Sequence, residues 1–213
     1  MRKFFFLTLL VLLGLGHYAF AQTSIGFRGG YTSSSATYRI TLGSFPRTVT
    51  GVEAQTYSFV LEQFFEKGAG AQIEFQYMTT GFSGTDTVNI GNETRFDYLK
   101  IPILSNFYLG NKGRFHIKLG PHVGYMLNAR DISREMESDL VIPTYAQPGD
   151  EVNRLMYGLT GGVGVSKLFG RNTIQGEARF SYEFGRPEAQ NRIFDLQFTQ
   201  LEFSIAYLFM IIK

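Results

Sequence analysis

Two histidines, His116 and His122, are the residues most able to do chemistry in this chain. An imidazole can act as a base, a proton shuttle or a metal ligand. The two stand six residues apart, an even spacing that puts both on one face of a strand. With Glu74 or Glu177 they would offer nitrogen and oxygen donors to a transition metal. Surrounded by so many charges of both signs, they fit better as members of a polar network. No cysteine is present, which excludes a thiolate nucleophile, a thiolate metal site and a disulfide framework. Gly161-Gly162-Val163-Gly164 has the composition of a phosphate-cradling loop but not its strand-turn-helix setting. Bare backbone packed against large side chains accounts for it better. A lipid-acting hydrolase would need a Ser-His-acid set open to lipid, and a rim protease would need His and Asp in the outer loops. No long connection holds a histidine. The sequence therefore predicts no catalytic residue, no cofactor and no metal site.

The charges are patterned more clearly than the histidines. Arg28, Glu62, Glu74, Lys100, Lys118, Glu177, Arg179, Glu183 and Glu202 fall opposite the apolar face of their segments, as do His116 and His122. Acids and bases nearly balance, as buried charges must. This set predicts a hydrogen-bonded ionic plug inside a closed sheet, with a structural purpose.

Eight segments must position that plug. The last is the clearest: Leu201, Phe203, Ile205, Tyr207 and Phe209 share one face, and Gln200, Glu202, Ser204 and Ala206 the other. Period-two alternation is the mark of a strand with one apolar and one polar side. Similar segments cover residues 24–33, 52–65, 71–79, 96–109, 114–128, 155–167 and 173–184. Gln63 and Ser105 on the apolar face, and Val60 and Phe64 on the polar face, break the pattern. Pro102 removes one ladder hydrogen bond and predicts a local bulge or irregular pairing.

Connections alternate in length. Glu66-Lys67-Gly68, Gly110-Asn111-Lys112-Gly113 and Gly170-Arg171-Asn172 read as tight turns. The stretches 34–51, 80–95, 129–154 and 185–198 read as long loops. Outer-membrane barrels have short periplasmic turns and long extracellular loops. In that orientation the apolar-face tyrosines Tyr31, Tyr57, Tyr77, Tyr125, Tyr157 and Tyr182 lie near the extracellular ends. Phe65, Phe107, Phe115, Phe169 and Phe209 lie near the periplasmic ends, although Tyr207 and Phe75 blur the division. Two aromatic belts are what the two membrane interfaces favour. The expected fold is all-β, an eight-stranded antiparallel up-and-down transmembrane β-barrel.

Composition agrees. Residues 1–21 read as a cleaved signal peptide: Arg2 and Lys3, an apolar run from Phe4 to Gly16, then Ala19-Phe20-Ala21. That leaves 22–213 as a single barrel domain, and His17 falls within the leader. The near-neutral mean hydropathy of −0.04 suits a barrel, in which only alternate residues meet lipid. The balance of 20 basic against 18 acidic residues, without a basic run, argues against nucleic acid as a partner.

Several segments together resemble the PorT-like outer-membrane β-barrel family. Tyr98-Leu99-Lys100-Ile101-Pro102 is similar to its Tyr-Leu-x-Ile-Pro strand motif, and Gly120-Pro121-His122-Val123-Gly124-Tyr125 to its Gly-Pro-x-x-Gly-Tyr motif. Gly161-Gly162-Val163-Gly164-Val165 and Glu177-Ala178-Arg179-Phe180-Ser181-Tyr182 resemble its later hairpin. The resemblance implies an eight-stranded barrel of the bacterial outer membrane, linked in some members to a protein-export machine, and carries no catalytic residues. Similar barrels often finish on an aromatic residue, whereas here Phe209 is followed by Met210-Ile211-Ile212-Lys213. The expected function is a non-enzymatic barrel with a filled lumen and a structural or interaction role, accessory to secretion. Its expected partners are outer-membrane lipid, the barrel-insertion machinery and an envelope protein met through the long loops. Two alternatives remain open: a soluble exported lipocalin-like barrel holding an apolar ligand, and a barrel hydrolase acting on envelope lipid or peptide.

Overall fold

A computed structural model describes residues 22–40, 47–85, 91–134, 154–184 and 194–212. Residues 1–21, read above as a leader, and the central parts of the four long connections lie outside the described residues. The strands are β1 (Gln22–Ile40), β2 (Arg47–Glu66), β3 (Ala69–Thr85), β4 (Gly91–Gly110), β5 (Gly113–Arg134), β6 (Leu155–Phe169), β7 (Asn172–Glu183) and β8 (Phe194–Ile212). Each pairs antiparallel with the next, and β1 pairs with β8 from Thr23↔Ile212 to Ile40↔Phe194. The sheet closes as an eight-stranded barrel and so has no free edge. In hydrocarbon an open edge would leave backbone groups without partners, at a cost of several kcal/mol each.

Alternation decides which side faces out. Ile205 is 68% exposed and its neighbour Ser204 only 7%. Phe27, Leu119, Val165 and Phe203 stand outside with Ile205, while Arg28, Lys118 and Glu202 are inside. A lipocalin-like barrel would need the opposite arrangement. Gln63 and Ser105 remain on the outer face, and Val60 and Phe64 are buried within.

The three tight turns each hold a glycine at positive φ: Gly68 (92°), Gly110 (108°) and Gly170 (64°). Such turns match the right-handed twist of a hairpin, and glycine adopts them without a Cβ penalty. Carbonyls near these turns accept from a neighbouring strand: Tyr108 N donates to Gly68 O at 2.9 Å, and Leu168 N to Lys112 O at 2.8 Å.

Most strands are longer than their apolar patterning predicts. β1 and β2 include residues 34–40 and 47–51, β3 and β4 include 80–85 and 91–95, β5 continues to Arg134, and β8 begins at Phe194. A strand of about 20 residues, tilted by about 40°, rises roughly 50 Å, about twice the apolar band of an outer membrane. The surplus lies beyond the tyrosines. There many outward residues are polar, including Glu53, Gln55, Arg95 and Arg130, although Leu127, Ile132 and Phe184 are exposed as well. Tyr31 Oη donates to Glu53 at 2.5 Å, and Arg130 grips Asp97 through two hydrogen bonds of 2.8 and 3.0 Å. The ladder continues because antiparallel pairing needs no lipid, whereas the contrast between faces fades where water reaches both.

Pro102 does not produce a bulge. Pairing with β5 is interrupted between Pro102↔His122 and Ser105↔Leu119, and the register is the same on both sides of the gap. Pro121 lies in that gap on β5, and Pro102 lies in a second gap, toward β3, between Ile73↔Ile103 and Gln76↔Lys100; each missing N–H donor thins one seam without shifting its register. The register shifts near it lie higher on the barrel, between Asp97 and Tyr98 and between Glu93 and Thr94.

Candidate functional site

The charged and imidazole side chains expected inside are all there, none more than 7% exposed. Alternation makes each point inward, and closure brings residues far apart in sequence to one level. They form two layers.

The lower layer, nearer the tight turns, centres on Glu74 and Glu177. Arg179 Nη1 and Nη2 clasp Glu74 at 3.0 and 2.5 Å, and its Nε donates to Glu177. Arg28 bridges the same carboxylates from β1, at 3.2 Å to each. Lys118 Nζ donates to Glu177 at 2.7 Å and to Gln175 Oε1 at 3.0 Å. Gln175 and Asn106 both donate to Glu62, at 3.1 and 2.7 Å, and Gln72 donates to Glu74. His116 Nε2 approaches Glu177 to 3.3 Å but lacks the angle of a hydrogen bond. Three cations, Arg28, Lys118 and Arg179, thus face three carboxylates, Glu62, Glu74 and Glu177.

The upper layer is mostly amide and hydroxyl. Lys100 Nζ donates to Gln200 Oε1 at 3.1 Å, and Gln200 Nε2 donates to Glu183 at 2.6 Å. Gln76 Nε2 reaches both Glu202 and Thr56 at 2.8 Å. His122 Nδ1 meets Thr160 Oγ1 at 2.8 Å, which meets Ser181 Oγ at 2.8 Å.

Glycines on β6 make room for this plug. A Cβ on Gly162 would sit 2.8 Å from Arg179 Cγ, on Gly164 2.5 Å from His116 Nε2, and on Gly158 2.8 Å from His122. The glycine run of β6 is therefore a thin wall against which the network leans.

Apolar caps lie above and below the ions, a feature missed by reading only the charges. Met78, Phe96, Tyr98, Met126, Met156 and Phe198 form a buried cluster on the side of the long connections. Phe96 and Phe198 meet edge to face with centroids 5.8 Å apart. Toward the tight turns, Phe64, Leu104, Leu208 and Met210 are buried. Phe64 packs at 4.9 Å on Tyr108, over which the Arg114 guanidinium stacks at 4.0 Å. The signal was available in the sequence. Met78 has the parity of Gln76, Met126 that of His122 and Phe198 that of Gln200, and Val60 and Phe64 belong to the same inward set.

Hydrolase parts are present but not assembled. His122 touches a hydroxyl, yet among the described residues its Nε2 has no hydrogen-bond partner and no third group orients the base. His122 is 1% exposed and Thr160 2%, so neither is open to lipid or solvent. Among the described residues no cluster of three or more His, Asp and Glu fits a metal ion.

An apolar outer face, an ionic interior and tight turns at one rim define a transmembrane β-barrel of the bacterial outer-membrane type. The chain belongs to the outer membrane protein beta-barrel domain family, whose model matches residues 20–185, and its place is the bacterial outer membrane. Its fold is similar to that of OprG from Pseudomonas aeruginosa (TM-score 0.57, 11% identity, covering 90% of this chain and 97% of OprG). Two others are more distant. Ail of Yersinia pestis has a TM-score of 0.43 at 11% identity, covering 88% of this chain and 99% of Ail. The outer membrane enzyme PagL has a TM-score of 0.33 at 13% identity, covering 84% of this chain and 99% of PagL. No curated protein matches the chain.

Proposed function

We propose that this protein is a non-conducting, non-catalytic barrel that anchors an interaction surface in the outer membrane. In this reading its tight turns face the periplasm and its tall rim faces outward. The rim meets an envelope protein, as an accessory to protein secretion of the kind its PorT-like motifs imply. Residues 1–21 serve as the export signal and the insertion machinery folds the rest. The observation that carries the reading is the filled lumen. Charges pair across the bore between two apolar caps, so among the described residues the interior offers no path and no accessible reactive group. What remains to act is the outside, and there the strands continue well past the aromatic belt.

A photo-crosslinking side chain at Glu53 or Ile132, both exposed beyond the belt, is expected to trap a protein partner in intact cells. The same group at Ile205, on the lipid face, should trap none. Purified protein in planar bilayers should give no stable channel. Steady conductance, or turnover of lipid A or peptide that disappears on His122→Ala, would replace this reading with a pore or an enzyme.

A further inference from the structure

The tight-turn rim carries a strong charge asymmetry. Its described charged residues in and beside the turns are Lys67, Lys112, Lys167 and Arg171, with Arg114 at the mouth of the bore, against a single acid, Glu66. Three of the cations gather on one side. Lys112 lies on the β4–β5 turn and Arg171 on the β6–β7 turn, and all three, with Lys167 at the end of β6, are exposed. The turns are neighbours, since Leu168 N donates to Lys112 O at 2.8 Å. Lys167 has the outward parity of Val163 and Val165, so it stands on the lipid side. Its ammonium lies 5.3 Å from the centre of the Phe169 ring. A lysine so placed must reach for the headgroup layer.

Directly above these cations the lipid face is hollowed. Gly29, Ile205, Gly176, Val165 and Phe115 form one outward row across five strands. A Cβ on Gly29 or Gly176 would meet nothing within 4 Å. The missing side chains, with small Ala178, leave a trough of about 730 Å³ on the outer surface. Val165 at its edge is two residues from Lys167 on the same face, so the hollow opens onto the cations.

We propose that this hollow and its cationic edge form a binding site for one anionic phospholipid of the inner leaflet. An acyl chain lies in the trough, and the phosphate rests among Lys112, Lys167 and Arg171. Charge complementarity selects the headgroup: the three cations are exposed and neither turn carries an acid, so a net-negative lipid gains what a zwitterionic one does not. Assignment to the inner leaflet rests on the orientation proposed above, with tight turns toward the periplasm.

Native mass spectrometry of the full barrel, released from detergent with equimolar phosphatidylglycerol, phosphatidylethanolamine and lipid A, tests this. Phosphatidylglycerol adducts should exceed phosphatidylethanolamine adducts by roughly tenfold or more, given the attraction of basic residues to anionic headgroups. K112Q/K167Q/R171Q should bring the two to parity, and Lys167→Gln alone, a milder change, should lower the ratio. Lys67→Gln, on the β2–β3 turn, should leave the ratio as it was. Gly176→Leu fills open space and should remove the retained phospholipid while the barrel stays folded, as judged by its heat-dependent gel mobility. Parity in the wild type, or a preference that survives the triple change, overturns the site. A preference for lipid A over phosphatidylglycerol overturns the inner-leaflet assignment and with it the orientation, while leaving the filled-lumen reading intact.

Discussion

Arg179 is the side chain on which the interior depends most. It closes two hydrogen bonds on Glu74 and one on Glu177, all three residues being almost wholly buried. Desolvating charges is costly, and removing one partner leaves the others buried and uncompensated, at about 3–5 kcal/mol. Arg179→Ala is expected to lower unfolding stability by about that much in urea titrations in lipid vesicles. Arg95→Ala removes a pair with Glu93 that is partly open to water, 37% and 26% exposed. It should cost no more than about 1 kcal/mol. Equal losses would mean that the network contributes no more than a surface pair. Placing Arg179 inside needed only the parity of its strand. Its partners are 105 and 2 residues away, and the distant one could not be named before closure brought β3 and β7 face to face across the bore.

Among elements, the hairpins fix register. Gly110 combines a positive φ of 108° with a close approach, because a Cβ there would sit 2.2 Å from Gly113 O. Gly110→Ala should therefore cost more than about 1 kcal/mol, from left-handed backbone strain and the clash together. Gly176→Ala enters open space and should lie within about 0.5 kcal/mol of the parent. Comparing urea midpoints of the two variants checks this, and similar midpoints would remove the special role of the turn. The tight turns were legible because glycine with Asn, Lys or Arg between two alternating runs has few other conformations. The strand ends were not. Beyond Tyr31 and Tyr125 many outward residues are polar while the inward face turns apolar in the upper cap, so the contrast between faces that marks a strand fades there. The ladder at Pro102 shows the converse: proline's missing donor was readable, but whether the pairing with β3 would bulge or only thin was decided by the register that the neighbouring pairs hold on both sides of the gap.

For the whole molecule, the decisive property is which face meets lipid. Ile205→Arg places a cation on the apolar outside and should impair folding into bilayers by roughly 2–4 kcal/mol if it lies near the midplane. Folding efficiency in vesicles measures this, and a spin label at 205 should be far more accessible to lipid-soluble oxygen than one at 204. Unimpaired folding of the arginine variant, together with oxygen access at 204, would invert the barrel. The filled bore also restricts function. An interior filled by two apolar caps and paired ions leaves the rims and the lipid face to make contacts. The basic tight-turn rim and the tall opposite rim differ in charge and height, so the two leaflets and compartments meet different surfaces.

Faces, strand number, tight turns and the charged interior could all be read along the chain, because alternation and turn chemistry are local and a two-residue period assigns every side chain to one side of a sheet. Pairings within the bore, its two apolar caps, the surplus height of the strands and the trough that joins Gly29 to Gly176 around Ile205 came from closure. They depend on how eight strands are staggered around one axis, a relation among residues up to 149 positions apart, such as Arg28 and Glu177, that no stretch of sequence contains.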